Sequence, residues 1–228
     1  MIKQKSFYLV SLGCAKNTVD SESMTEVLEK DGYTETTDPR KARVLIVNTC
    51  AFIQPAREES IAELKTLAAR KRKDQLLIAA GCLPERHRRI ILELIPEVNG
   101  ILSTRNWQDI VKVIEQDSGN PTIRYDLPGD PTSEYRRPIK RYAIEGYYSY
   151  LKIADGCRRP CAFCSIPLIK GTAVSRPRSE IIAEAEQLAE RGVKELILIA
   201  QDTTDYGSDL GMKDGISHLL EDIAGLKK

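Results

Sequence analysis

The sequence predicts an α/β fold: a parallel-sheet domain first, then the opening βα units of a second, larger domain. Three observations predict it. Short aliphatic and β-branched runs alternate with longer amphipathic stretches, the pattern of parallel strands joined by helical crossovers. The unit repeats three times with a cysteine at the same place, directly past the strand, at Cys14, Cys50 and Cys82. After a proline-punctuated break a second alternating set begins near residue 146, and it carries three more cysteines within eight residues.

Taken in order, residues 6–12 read as a short buried strand running into Gly13 and Cys14. A helix is expected next. Ser23 with Glu26 three residues on resembles a capping box, Met24, Val27 and Leu28 share a face, and Gly32 supplies a stop. Residues 42–49 form a β-branched strand that ends at Cys50. Pro55 opens a helix to about Arg72, with Ile61, Leu64 and Leu67 as its apolar stripe. Residues 75–80 make a third strand before Gly81 and Cys82, and Pro84 opens a helix carrying Ile90, Ile91, Leu94 and Ile95. A weaker strand at 100–103 and a helix from Asn106 to about Glu115 complete a first domain over 1–117. In a parallel sheet all the strands' carboxyl ends lie on one edge, where open α/β sheets bind ligands, most often at a switch in strand order. Each cysteine alone reads as an ordinary buried residue; three at equivalent positions read as a three-thiolate site.

Residues 118–145 lose periodicity. Pro121, Pro128, Pro131 and Pro138 punctuate a linker or extended arm made basic by Arg136, Arg137, Lys140 and Arg141. Over 146–228, an aromatic and β-branched strand at 147–154 feeds the cysteine loop. A helix follows Arg178, with Ile181, Ile182, Ala185, Leu188 and Ala189 on its packing face; Gly192 ends it, residues 195–200 form a strand, and another helix begins near Ile216. Two βα units neither close a barrel nor cover their own sheet edge, so 146–228 reads as the start of a larger domain.

Within that domain Cys157, Cys161 and Cys164 are separated by three and two residues, close enough for a short loop to wrap all three sulfurs around one metal group. Thiolates suit iron-sulfur clusters, zinc or copper(I). Zinc calls for a fourth Cys or His nearby, whereas the chain's two histidines are His87 and His218. A four-iron cluster with one open iron fits better.

Composition narrows the class further. The chain is 42% hydrophobic and 29% charged with a net charge of +1, which gives no overall pull toward nucleic acid. No apolar run reaches the roughly 18 residues of a membrane span, and the start shows no signal peptide. A cytoplasmic protein is expected, in which clustered thiols serve as metal ligands rather than disulfides.

These motifs resemble the radical S-adenosylmethionine methylthiotransferases over nearly the whole chain. Cys157, Cys161 and Cys164, with Phe163 before the third, are similar to the loop by which such enzymes hold a four-iron cluster after the first strand of a (β/α) partial barrel. Cys14, Cys50 and Cys82 are similar to the ligands of an auxiliary cluster in the family's amino-terminal α/β domain. The resemblance thus implies two 4Fe-4S clusters and S-adenosyl-L-methionine as cofactors. One electron from the Cys157, Cys161, Cys164 cluster would cleave S-adenosylmethionine to a radical that takes hydrogen from an unactivated carbon, and the auxiliary site would hold the sulfur to be delivered. The runs 12–17, 19–22 and 201–207 look like the branch that modifies an aspartate β-carbon of small-subunit ribosomal protein S-12. That makes the chain the amino-terminal portion of such an enzyme.

By the same resemblance, an electron donor such as flavodoxin or ferredoxin is a partner, and RNA contact would come through a carboxyl-terminal domain not contained in these residues. Gln201 and Asp202 are read as contacting S-adenosylmethionine or substrate, or as a plain turn; Asp155 and Gly156 as shaping the loop; Asn17 and Asn48 as hydrogen-bonding the auxiliary sulfurs. Residues 70–73 and 86–89 read as solvated basic helix faces, with ribosome contact as their other use. Two readings stand beside the main one: a transfer-RNA methylthiotransferase, and a non-catalytic metal-binding module.

Overall fold

A computed structural model describes residues 5–116, 125–127 and 147–226. They fall in two units, Met1–Ser133 and Glu134–Lys228. In the first, β1 (Ser6–Ser11), α1 (Ala15–Lys30), β2 (Thr34–Glu35), β3 (Val44–Thr49), α2 (Gln54–Arg70), β4 (Leu76–Gly81), α3 (Cys82–Leu94), β5 (Gly100–Ser103), α4 (Ile110–Glu115) and β6 (Tyr125–Leu127) follow one another. The sheet order is β2-β1-β3-β4-β5-β6 and every pairing is parallel. α1 packs with α4, and α2 with α3.

The hydrophobic pattern explains this arrangement. β3, β4 and β5 are buried at every residue, as strands covered on both faces must be, which is why they read as unbroken aliphatic runs. Phe7, Leu45, Ile46, Leu77 and Ile78 form the sheet's core, with Met24 and Leu28 from α1, Leu64 from α2 and Ile91 from α3 buried alongside. β1 has β2 on one side and β3 on the other, so the strand order reverses there. Such a reversal opens a crevice at the carboxyl ends of the two diverging strands.

Several element boundaries differ from those the sequence suggests. α1 begins directly after Cys14, not at Ser23. Ser23 and Glu26 are buried in mid-helix, where Ser23 Oγ donates to Val19 O (2.7 Å) and Glu26 pairs with Lys30 (2.6 Å). The capping-box spacing is also the spacing of neighbours on a helix face, and packing decides between the two. α3 begins at Cys82 and takes in Pro84, whose missing N–H is not needed in a first turn. Its His87, at φ −134° and ψ 35°, breaks the helix after that turn. A 3₁₀ turn, Trp107–Asp109, precedes α4. β6 lies inside the segment read as linker and adds a sixth strand; Arg136, Arg137, Lys140 and Arg141 lie outside the described residues.

The second unit comprises β7 (Tyr148–Lys152), β8 (Ala154–Asp155), α5 (Ile166–Lys170), β9 (Val174–Ser175), α6 (Arg178–Glu190), β10 (Glu195–Ile199) and α7 (Gly215–Ala224). β7 and β10 pair in parallel, β8 and β9 antiparallel. The single strand expected over 147–154 is thus divided at Ile153. Leu151, Ile153, Ile181, Ala185, Tyr206 and Leu219 form the core. Ala189, expected on the packing face of α6, is exposed; Glu184 is buried instead, because Arg176 Nη1, itself buried, meets it at 2.6 Å. Among the described residues no helix is long and apolar enough to cross a membrane.

Candidate functional site

Two groups of cysteines are the candidates, one in each unit, and all six are free thiols. In the first unit the sheet register aligns Ser11, Asn48, Ala80 and Leu102 in one row. Cys14, Cys50 and Cys82 each follow within a few residues of that row, on the carboxyl edge. Cys14 is the exposed N-cap of α1, Cys50 follows β3, and Cys82 is the first residue of α3.

Asn17 ties this edge together. Its side-chain nitrogen donates to Leu12 O and Thr49 O, both at 2.9 Å, so its oxygen faces Cys82, whose thiol donates to it at 3.8 Å. Asn48 Nδ2 donates to Asn17 O (2.9 Å) and Ser21 Oγ (2.8 Å). The expectation that these asparagines hydrogen-bond the auxiliary sulfurs is met at Asn17, whose oxygen accepts from the Cys82 thiol, and corrected at Asn48, whose side-chain donor is spent on a backbone carbonyl and a serine, because buried carbonyls at strand ends require partners. Two glycines make the close fit possible. Gly13 has φ +101°, and a Cβ there would sit 2.7 Å from Cys50 Cβ; one at Gly81 would sit 2.4 Å from Asn48 Oδ1.

In the second unit Cys157, Cys161 and Cys164 lie on the loop between β8 and α5. Gly156, at φ +78°, starts it, and a Cβ there would stand 2.0 Å from Thr172 O. Cys157 N–H donates to Gly171 O (3.1 Å) and Cys164 N–H to Cys161 O (3.1 Å). Two sulfurs accept backbone N–H groups at 3.5 Å, Cys157 from Arg159 and Cys164 from Ile166. Cys161 is exposed, and Phe163 is 91% exposed.

Beneath the loop sits Asp155. Its Oδ2 accepts from Lys152 Nζ (2.9 Å) and Lys170 Nζ (3.1 Å), its Oδ1 from Gln201 Nε2 (2.7 Å) and Gly156 N–H (3.1 Å). Burial pushes this carboxyl up, but the two ammonium groups and the hydrogen bonds outweigh it and hold it well below the usual range. Arg158 pairs with Asp205 (2.5 Å) and Arg159 with Asp202 (2.8 Å). The Thr204 hydroxyl and then Arg159 hold the Asp202 carboxyl below its ordinary value. Gln201 and Asp202 thus stand at the cysteine loop, one on Asp155 and the other on Arg159.

Sequence reasoning missed Ser60, Lys152, Lys170 and the Arg158 and Arg159 pairings. The charges were visible, but the partners of Arg158 and Arg159 lie 47 and 43 residues away and only the folded chain reveals them, and nothing in the sequence marks Asp155 as the group that Lys152 and Lys170 share. As for what the cysteines could hold, thiols are the donors iron-sulfur groups take, and each triad shares one edge or loop. Among the described residues no three Cys, His, Asp or Glu side chains are gathered tightly enough for a single ion. The fit to a larger cluster accordingly rests on donor chemistry, common placement and the glycines that make room.

Residues 6–103 match the family described as uncharacterized protein family UPF0004. The chain is 41% identical over 240 residues to the ribosomal protein uS12 methylthiotransferase RimO of Roseiflexus sp. (strain RS-1), covering 96% of this chain and 50% of that protein. It is 43% identical over 229 residues to the RimO of Geotalea uraniireducens (strain Rf4), covering 99% and 50%. The chain therefore spans about half the length of the curated relatives it matches. In fold it is similar to TsrM of Kitasatospora setae, a radical S-adenosylmethionine methyltransferase solved with cobalamin and a [4Fe-4S] cluster, at a TM-score of 0.63, 13% identity, 96% of this chain and 52% of that one. With strand-end cysteines, a three-cysteine loop and this degree of identity along its length, the chain is similar to about half of a RimO-type methylthiotransferase.

Proposed function

We propose that this chain carries the two cluster sites of an enzyme that inserts a methylthio group at the β-carbon of an aspartate in ribosomal protein uS12, in the cytoplasm. One observation carries the reading: the parallel register that aligns the ends of β1, β3 and β4 gathers Cys14, Cys50 and Cys82 on one sheet edge, in a chain that also holds a separate Cys157, Cys161, Cys164 loop. Bound there, a four-iron cluster with S-adenosylmethionine supplies the one-electron chemistry that no side-chain acid or base can, since the target hydrogen is not acidic. Cys14, Cys50 and Cys82 would hold a second cluster and with it the sulfur to be transferred.

The protein's own groups hold and orient. Gly156 lets the loop turn, Asp155 anchors its start to β7, α5 and Gln201, and the Arg158 and Arg159 pairs fasten its middle to the segment after β10. Gln201, Asp202 and Phe163 are the residues assigned to contact S-adenosylmethionine. A flavodoxin or ferredoxin is the assigned electron donor. The relatives described above are named for uS12, which favours the protein substrate over transfer RNA.

Anaerobic reconstitution with iron and sulfide tests the enzyme reading. About eight irons per chain and 5′-deoxyadenosine on reduction with S-adenosylmethionine are expected; bound zinc and no cleavage would leave only a metal-binding module. Mass analysis of uS12 and transfer RNA from cells lacking the gene separates the substrates. A methylthio group missing from transfer RNA, with uS12 unchanged, would overturn the assignment.

A further inference from the structure

Cys14, Cys50 and Cys82 leave the sheet on different kinds of backbone. Cys14 O accepts from Asn17 N–H (2.8 Å) and Thr18 N–H (3.1 Å) as α1 begins, and Cys82 lies within α3. Helical hydrogen bonding fixes both. Cys50 has no such frame, for it follows the end of β3 and precedes Ile53, the N-cap of α2. A buried N–H and C=O in such a stretch must find partners elsewhere. One side chain serves both. Ser60 Oγ, fully buried on α2, accepts from Cys50 N–H at 3.0 Å, and its single proton goes to Cys50 O (3.0 Å) or Ala56 O (2.8 Å). Against the Cys50 side chain lies Gly13, where a Cβ would fall 2.7 Å from Cys50 Cβ and 3.0 Å from its Sγ.

We propose that Ser60 is a positioning residue for the group held at Cys14, Cys50 and Cys82: by accepting from the Cys50 N–H and sharing its one proton between Cys50 O and Ala56 O, it ties the Cys50 backbone to α2 and so sets the direction of that thiolate. This rests on the reading of those three cysteines as cluster ligands and extends it to a residue that touches neither cluster nor substrate. Without the hydroxyl, Cys50 keeps its thiol but loses its fixed backbone. A ligand free to shift distorts the iron it binds and releases it more readily.

The test uses the 228-residue chain with Cys157, Cys161 and Cys164 replaced by alanine, so that a single cluster is observed. Ser60→Ala and, as control, Ser23→Ala are made in that parent. Ser23 is also buried, but its hydroxyl serves Val19 O within α1 (2.7 Å). Folding is checked by circular dichroism, the cluster by iron content and by the electron paramagnetic resonance of its reduced form. Ser60→Ala is expected to change the line shape and to raise the rate of iron loss to a chelator about tenfold, with Ser23→Ala matching the parent. A Ser60→Ala spectrum and release rate equal to the parent's, or an equal change in Ser23→Ala, overturns this inference alone. A parent that takes up no cluster overturns the underlying ligand reading, and this inference with it.

Discussion

Gly156 and Asp155 show how much of the cysteine loop depends on single residues. At Gly156 a side chain is excluded twice, by φ +78° and by Thr172 O at 2.0 Å from the Cβ position. Gly156→Ala is expected to destabilise the second unit by about 2 kcal/mol or more, read by denaturant unfolding, and to lose the iron of that loop alone. Asp155 makes a prediction about pH. Its carboxyl is held below the ordinary value in the folded state, so its stabilisation is complete above the unfolded value, about 3.9, and fades as pH falls below it. The wild-type chain should therefore lose stability in acid more steeply than Asp155→Asn. At neutral pH the Asn variant should be weaker by about 3–5 kcal/mol, since Lys152 and Lys170 are left buried beside a neutral group. Parallel acid profiles would refute the assignment. Gly156 could be read from the sequence as a loop-former, because glycine has few other uses before a metal loop. The four donors of Asp155 could not, because they come from β7, α5, the loop itself and the residue pair after β10.

Among the elements, the longer strands and the starts of α2, α6 and α7 are legible in the sequence, whereas the start of α1 and the shortest elements are not. β3, β4 and β5 announce themselves because both their faces are buried and no polar residue interrupts them until their ends. α1 was misplaced because Ser23 and Glu26 imitate a cap, whereas the helix actually starts at Cys14, which caps with its backbone alone. β6 was hidden by its shortness, and β8, α5 and β9 by theirs; two to five residues carry too little periodicity to be seen. The stripe of α2 was read correctly at Leu64 and Leu67, both buried. Leu64 is fully buried, on the same helix as Ser60. Leu64→Ala is expected to cost about 2–5 kcal/mol of first-unit stability by thermal or denaturant unfolding. A loss under about 1 kcal/mol would mean that α2 packs less firmly than its burial implies.

For the whole molecule the two cysteine sets make separable claims. Replacing Cys157, Cys161 and Cys164 by alanine should leave about four irons per chain and abolish 5′-deoxyadenosine formation. Replacing Cys14, Cys50 and Cys82 should also leave about four, with that cleavage retained in kind. Iron unchanged by either replacement would remove that set from the ligands. The sequence alone made the placement of Cys14, Cys50 and Cys82 legible, because parallel strands with helical crossovers leave no freedom about which edge their carboxyl ends share. It could not show how that edge is braced, since Asn17, Asn48 and Ser60 act through hydrogen bonds between segments that only the folded sheet brings together.

The same geometry separates the two triads in time. Cys157, Cys161 and Cys164 are neighbours along the chain, so even an unfolded polypeptide holds them within reach of one another. Cys14, Cys50 and Cys82 meet only after β1, β3 and β4 have found their register, and distant strands pair far more slowly than a short loop closes. Iron and sulfide supplied during refolding from denaturant should consequently be captured in two kinetic phases, a prompt one belonging to the loop and a late one that keeps pace with the formation of the sheet.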